Sequence, residues 1–341
     1  VKENIITGFA AVLLLVSCDK NRMILNTLSY YNNSMEGKGY HFGDQLKIPK
    51  DVTDNAESIS ISFEDKETSD MSIDPGFYTL GDNEITFNIK TKDGKALTQD
   101  ATINVFAKKT EQNISYQVIV EYPHNPKNFV QGFQLEGNTV YESDGEKGSS
   151  QMIKYILGTT VPIASTKQSR KDFSEGCTIV GDKVYQLTWQ SKKGYIYDKN
   201  SLKLLSEFAY PNLLGEGWGL TYDGKKLIAS DGSKFLYFLD PENPSELIGR
   251  IAVAGSAQKY DQLNELEYHK GFVYANVWQK PFILKINPVT GEVVGKFDFT
   301  KIADENGEGE NDVLNGIAFK GDHMLITGKN WPKIYQIAIK E

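Results

Sequence analysis

Five short segments of this chain share one layout, and the side chains able to do chemistry fall at matching places in them. The segments are Val130-Gln131-Gly132-Phe133, Ser174-Glu175-Gly176-Cys177, Gly217-Trp218-Gly219-Leu220, Leu263-Asn264-Glu265-Leu266 and Leu314-Asn315-Gly316-Ile317. Their second members stand at 131, 175, 218, 264 and 315, so the steps are 44, 43, 46 and 51 residues. Fourteen residues after each comes a second position, filled by Gly145, Trp189, Gly232, Trp278 and Lys329. Brought together, these positions surround one carboxylate, Glu175, with three indoles (Trp189, Trp218, Trp278), the amides of Gln131, Asn264 and Asn315, and the Lys329 ammonium. A carboxyl group packed against indoles loses hydration, which moves its proton affinity towards neutrality and suits it to both taking and giving a proton. Lys329 would oppose that shift if the two touch. The amides offer hydrogen bonds to a substrate's carbonyl or amide, although Asn264 and Asn315 could instead cap turns. The indoles could instead be core filler; the matched register favours a shared pocket.

A period of this size filled with short strands indicates a β-propeller, in which equivalent positions meet around one axis. Each repeat reads as four strands. In the fourth, Leu266 to Tyr268 leads through a turn at Lys270-Gly271 to Phe272 to Val277 and Phe282 to Ile286, and Asn287-Pro288-Val289-Thr290-Gly291 turns the chain into Val293 to Phe297. The fifth repeat ends after three strands, and Tyr116 to Tyr122 is a spare strand positioned to complete it and remove an exposed edge. Residues 111–341 are therefore predicted to form a five-bladed propeller. Ahead of it, Ser58 to Phe63, Ile85 to Ile89 and Thr102 to Phe106 alternate apolar and polar residues as half-buried strands do. Residues 25–110 are expected to form a small immunoglobulin-like β-sandwich, so the fold class is all-β.

The chain of 341 residues carries a net charge of −8 without a basic block, which argues against nucleic acid as a partner. Its four histidines are scattered, and its two cysteines, Cys18 and Cys177, make neither a disulfide framework nor a zinc site. Cys177 occupies the apolar slot held elsewhere by Phe133, Leu220, Leu266 and Ile317, and is expected to be buried and inert. No metal site is expected. The acidic run Asp304 to Asp312 has only the first half of a calcium-loop pattern and no helical flanks, and is read as a solvated loop. At the N-terminus an apolar stretch, Ile5 to Val16, is too short to span a bilayer and ends in Leu15-Val16-Ser17-Cys18, like a bacterial lipobox. Residues 1–18 are therefore expected to be a lipoprotein signal peptide with lipidation at Cys18, and residues 19–24 a tether. This places the protein in the cell envelope, lipid-anchored in the periplasm or outer membrane, and touching membrane through its anchor alone.

Several strings resemble the glutamine cyclotransferase family, the plant and bacterial type of glutaminyl cyclase. They include Phe129-Val130-Gln131-Gly132, Phe173-Ser174-Glu175-Gly176, Glu216-Gly217-Trp218-Gly219, Val273-Tyr274-Ala275-Asn276-Val277-Trp278 and Thr327-Gly328-Lys329-Asn330-Trp331-Pro332. The likeness covers about 115–341, with small departures at Asn125, Phe133 and Ser174 that remove no polar site group. It implies a five-bladed propeller that converts N-terminal glutamine to pyroglutamate with release of ammonia, without metal or other cofactor, acting as a monomer on peptides or proteins that begin with glutamine. It also implies roles: Glu175 as proton shuttle, Lys329 fixing a carbonyl or stabilising an oxyanion, Gln131 and Asn264 binding substrate, and Phe129, Trp189, Trp218 and Trp278 walling the pocket. The residues alone leave a second reading open: a non-catalytic propeller lipoprotein that binds peptides or glycans on the same face. A proton shuttle inside an indole cage is the feature such a binder does not need.

Overall fold

The computed structural model describes residues 6–307 and 309–340. Strands dominate, with helices at Ile6–Glu36, Lys50–Thr53 and Thr300–Asn306. The chain divides into two compact units, Val1–Lys108 and Lys109–Glu341.

The first unit differs from its sequence-based expectation. Residues 19–24, read as a tether, and residues 25–36, read as the start of the β-sandwich, are instead part of the helix Ile6–Glu36. Ile24, Leu28, Asn32 and Met35 are buried, and their spacing of four, four and three residues puts them on one helix face. That face packs on the strand Ala96–Val105. The described strands of this unit form one five-stranded sheet rather than the two sheets of a sandwich. The alternating segments at Ser58 to Phe63 and Ile85 to Ile89 fall within the strands Ala56–Phe63 and Gly81–Thr91, and Thr102 to Phe106 overlaps the end of Ala96–Val105, but alternation cannot say whether a second sheet or a helix covers the apolar face. The Cys18 side chain and residues 1–5 lie outside the described set. Among the described residues no helix is long and apolar enough to cross a membrane.

The second unit is built from five antiparallel sheets in chain order. Their first strands are Val130–Glu136, Ser174–Val180, Leu220–Tyr222, Leu263–His269 and Leu314–Lys320. Each first strand contacts the next, and the last contacts the first. Ser115–Pro123 pairs antiparallel with Lys333–Lys340 and supplies the fourth strand of the fifth sheet. The short strand Gln112–Asn113 adds in parallel to the outer edge of the fourth. Apolar cores lie between neighbouring sheets: Leu187, Leu220 and Leu239 join the second and third, and Tyr274, Phe297 and Trp331 join the fourth and fifth. A large-to-small change in such a core costs about 3–5 kcal/mol for an aromatic residue. The acidic run also differs from its reading as a plain loop. Its first residues, Asp304 to Asn306, end the helix Thr300–Asn306, which is anchored by buried Ile302, while Asn330 donates to Asp312 at 2.8 Å.

The junction of the first and fifth sheets holds a buried ion pair. His124 is 2.7 Å from the Trp331 carbonyl through Nδ1 and 3.1 Å from Glu142 Oε2 through Nε2. Both partners are acceptors, so both ring nitrogens donate and the ring is an imidazolium. Burial disfavours that charge, but Glu142 and the Trp331 carbonyl outweigh it and raise the His124 pKa above 6.5. Burial likewise opposes ionised Glu142, yet His124, Tyr155 and Asn128 together hold its carboxyl below 4.5. Stability from His124 is therefore complete below about pH 6.5 and lost as pH rises through its raised folded value. That from Glu142 is complete above about pH 4.5 and lost as pH falls through its depressed one. Truncation of His124 to Ala strands the Glu142 charge and is expected to lower the unfolding free energy by about 3–5 kcal/mol near pH 6. Chemical denaturation measures this, and a loss below about 1 kcal/mol would refute the ion pair's role.

Candidate active site

The five motif segments open the first strands, and in the first, second, fourth and fifth sheets the strand pairing shifts register at the motif. Such bulges turn a side chain out of the sheet alternation. Here they accompany the burial of Gln131, Glu175, Asn264 and Asn315 at the motif's second position. The +14 positions follow each sheet's second strand, Thr139–Asp144 being the first and His323–Gly328 the last. The two glycines there make room: a Cβ on Gly145 would fall 2.7 Å from Gln131 Cγ, and one on Gly232 2.7 Å from the Trp218 ring.

Glu175 is 5% exposed. Gln131 Nε2 donates to its Oε1 at 3.3 Å, and Asn315 Nδ2 in turn donates to Gln131 Oε1 at 3.2 Å and to the Val130 carbonyl at 2.8 Å. Asn315 thus fixes which end of the Gln131 amide faces Glu175. Burial pushes the Glu175 carboxyl well above the usual carboxylate range; the Lys329 charge pulls it down, and Glu216 pushes it further up. Lys329 is 4% exposed and sits 4.7 Å from the centre of the Phe129 ring. Burial lowers its pKa to about 8, against the pull of Glu175. The two groups form a buried acid-base couple in which desolvation weakens both charges and their mutual attraction restores part of them.

Phe129, against Lys329, begins a chain of aromatic contacts. Phe173 meets Phe129 and Trp189 edge-on at 6.2 and 5.8 Å, and Trp218 meets Trp278 edge-on at 6.0 Å. Trp278 is half-exposed at 38%, whereas Glu175 and Lys329 lie buried. Asn264 is buried, and its Oδ1 has no protein partner, which leaves an acceptor for a ligand. The structure thus links Glu175, Gln131, Lys329 and Phe129 by contact or charge, and pairs Trp218 with Trp278. Trp331, two residues past Lys329, belongs to the core, with its indole N–H bound to the Asp312 carbonyl at 3.0 Å. Cys177 is buried, and burial pushes its thiol well above its ordinary value.

Three contributors have no role in the sequence reading. Phe173 and Glu216 stand inside strings quoted for the resemblance without roles of their own. Glu265, one residue past Asn264, brings a second buried carboxyl close to the matched positions, where only Glu175 was counted. The visible signal for Glu265 was its slot, which is glycine in the other four segments.

A sequence model of glutamine cyclotransferase matches residues 92–339. The chain belongs to the glutamine cyclotransferase family. The match starts before the boundary between the two units and runs through all five motif segments. Among members of this family, the glutaminyl-peptide cyclotransferase of Arabidopsis thaliana is 37% identical over 231 residues, covering 66% of this chain and 71% of that protein. The crystal structure of Myxococcus xanthus glutaminyl cyclase superposes with a TM-score of 0.62 at 31% identity, covering 67% of this chain and 98% of that one.

Proposed function

We propose that this chain is a glutaminyl-peptide cyclotransferase, which closes an N-terminal glutamine to pyroglutamate and releases ammonia. The observation that carries this reading is a buried Glu175, hydrogen-bonded by Gln131 and electrostatically coupled to Lys329 beside an aromatic wall, in a member of the glutamine cyclotransferase family. The second unit is read as a five-bladed propeller, supported by five sheets in chain order whose first strands contact one another from first to last and back to first.

The reaction needs no external nucleophile. The neutral α-amine attacks the δ-carbonyl carbon of the same residue, a C–N bond forms, and the bond to the carboxamide nitrogen breaks. Glu175 takes a proton from the attacking amine and delivers it to the departing nitrogen, which leaves as ammonia, so the carboxyl ends as it began. Lys329 donates to the carbonyl oxygen as charge develops there. Gln131 and Asn264 hold the substrate's amide and backbone, and Phe129, Trp189, Trp218 and Trp278 keep its side chain folded. Holding amine and carbonyl in attack range is worth up to ~7–11 kcal/mol in favourable intramolecular systems.

The test is incubation of the protein with a glutamine-initiated peptide, following ammonia release and loss of the free amine together. Turnover above the spontaneous rate is expected; none would leave the peptide- or glycan-binding alternative. A pH profile tests Lys329. Its contribution requires the ammonium, so kcat/KM is expected to fall above about pH 8. Lys329→Arg stays charged throughout this range and is expected to abolish that fall. A fall that persists in the variant would assign it to another group.

The lipobox-like sequence at Cys18 supports a lipid-anchored protein of the cell envelope. Mass spectrometry of the protein from native membranes is expected to find an acylated Cys18 at the mature N-terminus; an unmodified cysteine would refute the anchor.

A further inference from the structure

Glu216 immediately precedes Gly217 and Trp218, and its carboxylate ties two sheets together. Trp189 Nε1 donates to Glu216 Oε2 at 2.6 Å, and Trp218 Nε1 donates to the same oxygen at 2.9 Å. Gln190 Nε2 donates to Oε1 at 3.0 Å. Trp189 follows the strand Lys183–Thr188 of the second sheet, whereas Trp218 precedes Leu220–Tyr222 of the third. An indole nitrogen can only donate, so two indoles can converge on one atom only if that atom offers two lone pairs. A carboxylate oxygen does so and gains charge-assisted hydrogen bonds in return.

We propose that Glu216 is a positioning residue for the cyclisation: its single carboxylate aligns the Trp189 and Trp218 indoles and sets a fixed negative charge within electrostatic reach of Glu175. This rests on the cyclase reading of the same pocket. The indole edges are turned towards Glu216, which leaves their faces to shape the cup, and Trp278 packs against the ring that Glu216 holds. Three donors keep the Glu216 carboxyl below its ordinary value against the opposing effect of burial, with the Lys192 charge adding to them. The groups acting on Glu175 are then Lys329, which favours its ionised form, and Glu216, which favours its protonated form. A shuttle must hold its proton loosely enough to lose it and firmly enough to regain it, and these two charges oppose each other across it.

Two variants of the full chain test this. Glu216→Ala removes the common acceptor and is expected to raise KM for a glutamine-initiated peptide about ten-fold or more, and to change the near-ultraviolet circular dichroism of the tryptophans. Glu216→Gln keeps one acceptor oxygen but removes the charge, and is expected to move the acid limb of the kcat profile down by roughly half a pH unit. The direction follows because loss of a neighbouring negative charge makes Glu175 easier to ionise. An acid limb unmoved in Glu216→Gln would overturn the electrostatic part. A wild-type spectrum in folded Glu216→Ala would overturn the alignment; should Glu216→Ala not fold, a wild-type spectrum and KM in Glu216→Asp, whose carboxylate is one methylene shorter than the reach both indoles require, would do so. The spectrum does not depend on turnover, so failure of the clamp is distinguishable from failure of the cyclase reading.

Discussion

Replacement of Glu175 by Gln is expected to lower kcat for cyclisation of a glutamine-initiated peptide by about 10²–10⁴, the range that positioned acid-base help supplies. The amide has nearly the same shape, so KM should change little, because Phe129, Trp189, Trp218 and Trp278 still wall the cup. What disappears is a group that can carry a proton from the attacking amine to the leaving nitrogen. Wild-type Glu175 is poised for this because burial makes its ionised form costly while Lys329 makes it affordable. Residual turnover in the variant would report positioning alone. A fall of kcat below about ten-fold would mean that solvent or another residue moves the proton. A large rise in KM with unchanged kcat would make Glu175 a binding group instead.

A large expected effect on stability lies one layer below. Gly132, Gly176, Gly219 and Gly316 occupy the same place in four segments, and Glu265 occupies it in the other. The glycines are needed where strands abut: a Cβ on Gly219 would fall against the Asn264 carbonyl oxygen, and one on Gly176 against the main-chain nitrogen of Leu220. Glu265 accepts from the main-chain N–H of Phe133 at 3.2 Å and of Ile317 at 2.9 Å, so a residue of the fourth sheet ties down the first and the fifth. Truncation to Ala would leave both buried N–H groups without their acceptor and open a cavity, costing about 3–5 kcal/mol. Glu265→Gln keeps the shape and one acceptor and is expected to cost about 1–2 kcal/mol. Burial, with the Glu267 charge beside it, raises the Glu265 pKa well above 4.5, despite the two N–H donors. A raised folded value contributes stability that is complete below pH 4.5 and lost as pH rises through it. The gap between wild type and Glu265→Gln in denaturant unfolding should therefore narrow as pH rises. A loss below 1 kcal/mol in Glu265→Ala would show that water or neighbouring groups satisfy those donors.

The sequence carried the second unit well because its signals repeat. Segments 43 to 51 residues apart mark five strand starts, and Tyr116 to Tyr122 read as a missing partner before any sheet was seen. Gln131, Glu175 and Lys329 could be named because register alone brings them to one place. Glu216 could not be assigned, since its role depends on the directions of two indole N–H bonds, one of them from a residue 27 positions away. Trp331 lies two residues from Lys329 yet takes no part in the site. Its burial over Gly328 and its bond to Asp312 are tertiary facts that no local pattern encodes. In the first unit the helical spacing of Ile24, Leu28, Asn32 and Met35 is visible in the sequence, but it adjoins an apolar run with a targeting signature, so residues 19–24 read as a tether and those from 25 as the start of a sandwich.

The most direct measurement is a crystal structure of Glu175→Gln, slowed by its missing shuttle, with a glutamine-initiated peptide bound. The account predicts the α-amine and the side-chain carbonyl carbon of the first residue in van der Waals contact between the indoles, with Gln at position 175 in hydrogen-bond reach of the amine and Lys329 facing the carbonyl oxygen. A peptide bound away from these indoles, or an amine pointing away from position 175, would contradict it.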